Sequence, residues 1–194
     1  MDRDQNSSGY ASSVPHPLGG SERGRLQDIE RLRAARPAAD GALQDTLDTV
    51  RGVFGVDLCA VNLLLSDIVY VRAWSGALPE GLAAARRDLR ERFICPRVVD
   101  SGEPLLVEDL LEERDLREHY ACAVYGLRFY VGVPLVTSEG RAIGTLCLTD
   151  SRPREFEREG MLMLKSFARA IAGRLEFLGD LYRERESRQE NKRN

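Results

Sequence analysis

The chain has few of the residues that build metal and cofactor centres. Its 194 residues include two histidines, His16 and His119, and four cysteines, Cys59, Cys95, Cys122 and Cys147. There is no C-x-x-C, no H-x-x-x-H and no Cys/His pair at ligand spacing, which argues against a dedicated zinc site. Lone cysteines among apolar neighbours suit a reducing compartment better than a disulfide framework. No apolar run approaches the roughly 20 residues that span a bilayer, and "MDRDQNSSGYASSVPHPLGG" lacks the basic and apolar regions of a signal peptide. A field of one charge sign is missing too. The 28 basic and 31 acidic side chains are interspersed, for a formal net charge of -3, and leave no basic face for the phosphates of nucleic acid. The expectation is a cytoplasmic protein with neither nucleic acid nor membrane as a partner. G-x-S-x-G, P-loop and G-x-G-x-x-G spacings are also absent, and no catalytic residues are assigned.

What is present is 43% hydrophobic residues, enough for the core of one domain. Residues 1–22, rich in Ser, Gly, Pro and Asn, read as a disordered leader. Residues 23–37 read as an N-terminal helix, with Leu26, Ile29 and Leu32 on one face and Pro37 as its stop. In "AADGALQDTLDTVRGVFG", Leu43, Leu47, Val50 and Phe54 step by four, three and four residues before Gly55, which predicts a second helix. "VDLCAVNLLL" and "IVYVRAW" read as a hairpin turning at Ser66-Asp67. "PEGLAAARRDLRER" is weakly helical. In "FICPRVVDSG", Pro96 fits the first position of a helix, which puts Cys95 at its N-cap, where the helix dipole, Arg92 and Arg97 would favour a thiolate. "EPLLVEDL" is a short strand, and Asp109 with Glu112 has the spacing of a capping box opening the helix "LLEERDLREHY".

The strongest segment pairs "LRFYVGVPLV" with "AIGTLCLTD" across "TSEGR", whose Gly140 fits a hairpin loop. A long helix follows. Along it Met161, Leu164, Ala168, Ile171, Leu175, Leu178 and Tyr182 alternate steps of three and four, a stripe that predicts pairing with another helix. With Leu43 and Leu47 these residues form the expected dimer interface. A second stripe, Met163, Phe167, Ala170 and Phe177, lies on a neighbouring face, so one face docks on the sheet while the other meets a partner. Residues 179–194 form a charged helical tail. Strands cluster between helical ends without βαβ alternation, so the fold class is α+β.

The series "GLRFYVGVPLVTSEGRAIGTLCLTDSRPREF", preceded by "FICPRVVDSGEPLLVEDLLEERDL", resembles a GAF domain of the bacterial sensor and signalling type. The elements match in order: Phe93 and Cys95, "EPLLVEDL", "RFYVGVPL", "GRAIGTLCLTD" and the following "RP", with the resemblance covering residues 38–178. It implies a GAF/PAS-like antiparallel sheet of five to six strands with long terminal helices on one face and a pocket on the other. It also implies a stand-alone sensory domain that binds an unidentified small molecule, forms a homodimer through its terminal helices and signals to a partner protein in trans. The cofactor is unknown. On the resemblance, the pocket residues are Trp74, Cys95, Val99, Asp109, Leu116, Tyr120, Tyr125 and Phe129.

Other GAF-like activities are less well matched. Free methionine sulfoxide reductases of this fold use cysteines near the pocket, which makes Cys95 with Cys122 the candidate pair for a thiol-based redox enzyme or sensor. Their glycine-rich turn and cysteine-aspartate step are replaced here by "FICPRVV" and "HYACAVYG". The cysteine-histidine pair of bilin photoreceptors is missing, as is the Asn-Lys-x-x-Phe-x-x-x-Asp-Glu signature of nucleotide-regulated modules. Haem would have only His119 as an internal axial ligand. A dimerisation module that binds no ligand is the remaining alternative. Each pocket residue also has a plain packing role: Cys95 as a small apolar side chain, and Arg128 as a partner for Glu108 or Asp109 rather than for an acidic ligand.

Overall fold

The computed structural model describes residues 22–36 and 40–193. The leader assigned to residues 1–22, apart from Glu22, and the stop at Pro37 lie outside the described residues. Two helices come first, α1 (Glu22–Arg31) and α2 (Gly41–Phe54). The strands are β1 (Leu58–Leu64), β2 (Ile68–Gly76), β3 (Arg87–Leu89), β4 (Leu105–Val107), β5 (Phe129–Val136) and β6 (Ala142–Asp150). They form one six-stranded sheet in the order β3-β2-β1-β6-β5-β4, with antiparallel neighbours throughout. Short helices α3 (Glu80–Ala85), α4 (Cys95–Ser101) and α5 (Tyr120–Ala123) lie between strands, and α6 (Arg158–Glu190) follows the sheet.

Alternation along the strands divides the core in two. Cys59, Val61 and Leu63 of β1, with Phe129, Val131 and Val133 of β5, face α2 and α6. Ala60, Tyr130 and Cys147 face α4 and α5. Asp40 caps α2 by accepting from the Leu43 N–H at 3.1 Å, and the same carboxylate pairs with Arg174 of α6. The β5–β6 hairpin turns at Gly140, whose φ of 75° meets the expectation for that loop.

The α6 stripe expected to meet a second chain is used inside this one. Leu164, Ala168, Ile171 and Leu175 are at most 2% exposed and pack with Leu43 and Leu47 over the sheet. Met161 packs on the same core, while Leu178 and Tyr182 are half-buried beside the turn that follows α1. A helix lying on a sheet needs the same apolar stripe as a coiled-coil seam, and over a few turns the two periods cannot be told apart. Leu164, Ala168, Ile171 and Leu175 are therefore core residues of their own chain, as are Leu43 and Leu47. The outward face carries the second stripe instead: Met163 and Phe177 are exposed, and Phe167 is half-buried.

Three local expectations change. The first helix ends at Arg31, short of Pro37, because Arg33 takes a left-handed φ of 50° and the following turn carries Leu32 and Ala34 into the core. Only Glu80–Ala85 of "PEGLAAARRDLRER" is α-helical, since Arg87–Leu89 pairs with β2 as an edge strand. The segment after Asp109 forms turns rather than a helix. Asp109 accepts from the Leu111 N–H at 3.1 Å and from Arg128 Nε at 2.7 Å, so its carboxylate serves a local turn and an ion pair in place of a capping box.

Candidate functional site

On the sheet face away from α2 and α6 lies a cavity of about 250 Å3. Its floor is set by strand pairing: Ala60 of β1 stands opposite Cys147 of β6, Leu58 opposite Thr149, and Asn62 one pair further along. Because four strand positions separate Asn62 from Leu58, the floor runs about 13 Å from Asn62 to Thr149. Leu82 of α3, Cys95 of α4 and Ala121 of α5 contribute the opposite wall.

The inner end is a knot of four buried polar side chains. Asn62 Nδ2 donates to Cys95 Sγ at 3.2 Å and to Cys147 Sγ at 3.3 Å, and the Tyr130 hydroxyl lies 3.5 Å from Cys95 Sγ. Both cysteines are free thiols. Hydrogen bonding from the Cys147 thiol, with further bonds from Tyr130 and Asn62, outweighs burial and lowers the Cys95 thiol to about 6. The same contact pushes Cys147 well above its ordinary value, and burial raises Tyr130. Cys95 is the first residue of α4 rather than its N-cap, which is Ile94, so Pro96 stands second. The two arginines invoked for Cys95 are engaged elsewhere, Arg92 with Asp88 and Arg97 with Asp115 at 2.5 Å.

The mouth is tied across by side chains. Arg92 donates to Asp88 at 2.8 Å and its guanidinium lies 4.6 Å from the Tyr120 ring centroid. Tyr120 meets Tyr125 edge to face at 5.2 Å, and the Tyr125 hydroxyl donates to Asp88 at 3.3 Å. At the Thr149 end, Asp57 accepts from the Ser151 N–H at 2.9 Å and hydroxyl at 2.7 Å, which holds its carboxyl below the usual range. Both charged residues of the wall, Arg92 and Asp57, are thus already paired. Two atoms of wall residues are not: Asn62 Oδ1 and Thr149 Oγ1 are buried without a hydrogen-bond partner among the described residues.

Of the eight pocket residues expected from the resemblance, Cys95 and Tyr125 lie on this wall. Tyr120 belongs to the mouth but not the wall. Leu116 and Trp74 pack in the surrounding cluster, with Arg86 over the Trp74 ring at 5.0 Å. Val99 packs in a separate group with Leu64, Val69 and Ala142. Asp109 is paired with Arg128, which answers the choice between an acidic ligand and a carboxylate for that arginine. Phe129 is a correction, because it faces α2 and α6 and its neighbour Tyr130 takes the cavity side. Asn62 and Cys147 were missed, although a lone asparagine inside "CAVNLLL" is a readable sign of a buried polar side chain.

Cys122 is buried in the same cluster but off the wall, and burial pushes its thiol up. His119 accepts from the Ala121 N–H at 3.2 Å as the cap of α5. Among the described residues no three His, Cys, Asp or Glu side chains are grouped to hold a metal ion, and no helix is long and apolar enough to cross a membrane.

The sequence profile of the GAF domain family matches residues 39–175. The chain is 26% identical over 168 residues to a cyclic di-GMP phosphodiesterase of Pseudomonas aeruginosa, a match covering 86% of this chain and 27% of that protein. It therefore spans about a quarter of that relative's length. A domain assigned to a two-component sensor histidine kinase of Sinorhizobium meliloti superposes with a TM-score of 0.60 at 25% identity, over 77% of this chain and 99% of that one. A free methionine-R-sulfoxide reductase from Neisseria meningitidis, solved with its substrate, gives 0.58 at 23% identity over 83% and 91%. At that identity the likeness is one of fold.

Proposed function

The chain belongs to the GAF domain family, and on that premise we propose that it is a regulatory sensor domain whose ligand is a small molecule held in the cavity between the sheet and α3–α5. One observation carries this reading: about 250 Å3 of largely apolar space with a few convergent polar groups. Protein interiors are close-packed, so a void of that size has no packing purpose, whereas a ligand pocket has this composition. The floor strands β1 and β6 also form the sheet beneath α2 and α6. A ligand that prefers one arrangement of the floor side chains would bias the terminal helices through that shared sheet.

The output in this proposal is a homodimer, read by a partner protein in trans. Its face is the outward stripe of α6, where Met163 and Phe177 are 45% and 58% exposed. A second copy suits that stripe because the helix runs past its last buried residue, Gly179, to Glu190, carrying both charge signs there, with Asp180–Arg183 and Glu184–Arg188 pairs. Two such helices present matching apolar and mixed-charge surfaces to each other.

The test is Ala60→Phe, which fills the floor. Fragments that raise the wild-type melting midpoint should lose their effect on this variant while its circular dichroism stays native. If no fragment from a broad set shifts the wild-type midpoint, and mass spectrometry of the native protein finds no carried molecule, the sensor reading fails.

A second reading, thiol redox chemistry, is favoured by a single observation: Cys95 is lowered to about 6 and reaches the cavity wall. It calls for turnover of free methionine sulfoxide that Cys95→Ser abolishes. Absence of turnover in the wild type leaves the regulatory reading alone.

A further inference from the structure

The wall of the cavity narrows the chemistry of its occupant. We propose that it takes a flat, neutral aromatic molecule of roughly ten non-hydrogen atoms bearing one N–H or O–H donor, and that this donor is bound by Asn62 Oδ1. The inference rests on the sensor reading above and names the ligand class for that same site.

Size comes first. An apolar cavity of about 150 Å3 accepts benzene, so about 250 Å3 suits a fused two-ring system better than a nucleotide or a single small anion. Charge comes second. The charged side chains on the wall are Asp57 and Arg92, and each is already satisfied, by Ser151 and by Asp88 respectively. The Cys95 thiolate is likewise held, by Asn62 and Tyr130, so a charged ligand would lose its hydration and find no unpaired counter-charge on the wall. A neutral one loses far less.

Shape and surface come third. At the middle of the floor Ala60 faces Cys147, so small and soft side chains stand where a larger one would close the space. Phe93, Tyr130 and the two sulfurs of Cys95 and Cys147 supply polarisable contacts, the kind that favour an aromatic ring over an aliphatic chain.

The donor requirement comes from Asn62, which is 4% exposed. Its amide nitrogen is committed to both sulfurs, which fixes the carboxamide with Nδ2 towards the cysteines and leaves Oδ1 as a buried acceptor with no partner. Turning the group over would point its oxygen at Cys95 Sγ, which already accepts from the Tyr130 hydroxyl, and forfeit both bonds from Nδ2. An N–H or O–H on the ligand satisfies that oxygen; an isostere without one leaves it unpaired, and a site of this kind discriminates strongly against such isosteres.

Calorimetric titration of the full chain with indole, benzofuran and 1-methylindole tests this. Indole should bind at least tenfold more tightly than benzofuran, which has its size but no donor, and than 1-methylindole. Asn62→Leu should bring indole down to the affinity of benzofuran. Equal binding of indole and benzofuran to the wild type, or a preference that survives Asn62→Leu, overturns the inference, and the wild-type comparison stands even if the variant does not fold. Other fragments that bind in an Ala60-dependent manner while all three of these fail would overturn the ligand class and leave the sensor reading intact. Failure of every fragment removes both.

Discussion

Tyr130 folds over Gly132, two positions along the same face of β5: a Cβ added to Gly132 would fall 2.4 Å from the tyrosine hydroxyl and 2.9 Å from Cζ. The missing side chain is what gives the ring room to bring its hydroxyl to Cys95 at the inner end of the cavity. Gly132→Ala should displace the ring and destabilise the fold by about 1 to 3 kcal/mol, the usual cost of overpacking. Tyr130→Phe removes the atom in closest conflict, so the double variant should be less destabilised than the sum of the singles by at least about 0.5 kcal/mol. Urea denaturation of the four proteins measures this, and strict additivity would mean that the backbone, not the ring, absorbs the methyl group.

The same knot makes stability depend on pH. Cys95 is lowered to about 6, while a thiol in the unfolded chain titrates near about 8.5. Between these values the unfolded state holds more protons than the native one, so stability should rise with pH across the window and the gain should be absent below it. Cys95→Ala should flatten the rise. Asn62→Leu and Tyr130→Phe each remove a hydrogen bond to the thiolate and should move the titration upward. Thiolate ultraviolet absorbance and melting midpoints on either side of the window provide the readout; a wild-type midpoint flat across it would show that the thiol stays protonated.

Asp28 ties α1 to the β5–β6 turn. It is 2% exposed, accepts from Arg141 Nε at 2.7 Å and Nη2 at 2.9 Å, and receives the Thr137 hydroxyl at 3.1 Å. Arg141 above all holds its carboxyl below the usual range. The stabilisation is therefore complete above the ordinary carboxylate value of about 4 and is lost as pH falls through the lower native value. Asp28→Asn should cost about 1.5 to 3 kcal/mol at neutral pH, the range for hydrogen bonds to charged groups. It should also remove part of the acid sensitivity, so wild type and variant converge in acid-unfolding curves. Parallel curves would mean that the pair contributes nothing through its charge.

Much of this architecture is legible in the sequence where a period and a stop signal coincide. The hairpin of β5 and β6 carries both, and so does α2, with its stepped Leu43, Leu47 and Val50 and its cap at Gly55. The cavity is harder to read. "RFYVGVPLV" is apolar on both faces, so nothing in it says whether Phe129 or Tyr130 faces the pocket, and only the register with Thr149 and Asp150 across β6 decides. The capping-box spacing after Asp109 is real, but Arg128, distant in sequence, takes the carboxylate. The floor residues of the cavity are fixed by strand pairings of this long-range kind, so the sequence shows Asn62 as a polar residue in an apolar strand but leaves to the register which face it and Cys147 line.

The two faces of α6 separate folding from association. Leu175 is 2% exposed in the core beneath the helix, and a glutamate there buries an unpaired charge, so Leu175→Glu should unfold the domain rather than split a dimer. Phe177, two residues on, is exposed. Phe177→Glu should leave circular dichroism and melting midpoint nearly unchanged, within about 0.5 kcal/mol for a surface site, while sedimentation velocity shows a smaller species than the wild type. Because Met163 lies on the same stripe, Met163→Glu should act in the same direction and the pair together more strongly. If both leave the sedimentation coefficient at the wild-type value, α6 does not carry the dimer, and any output of the cavity must leave the domain by another surface.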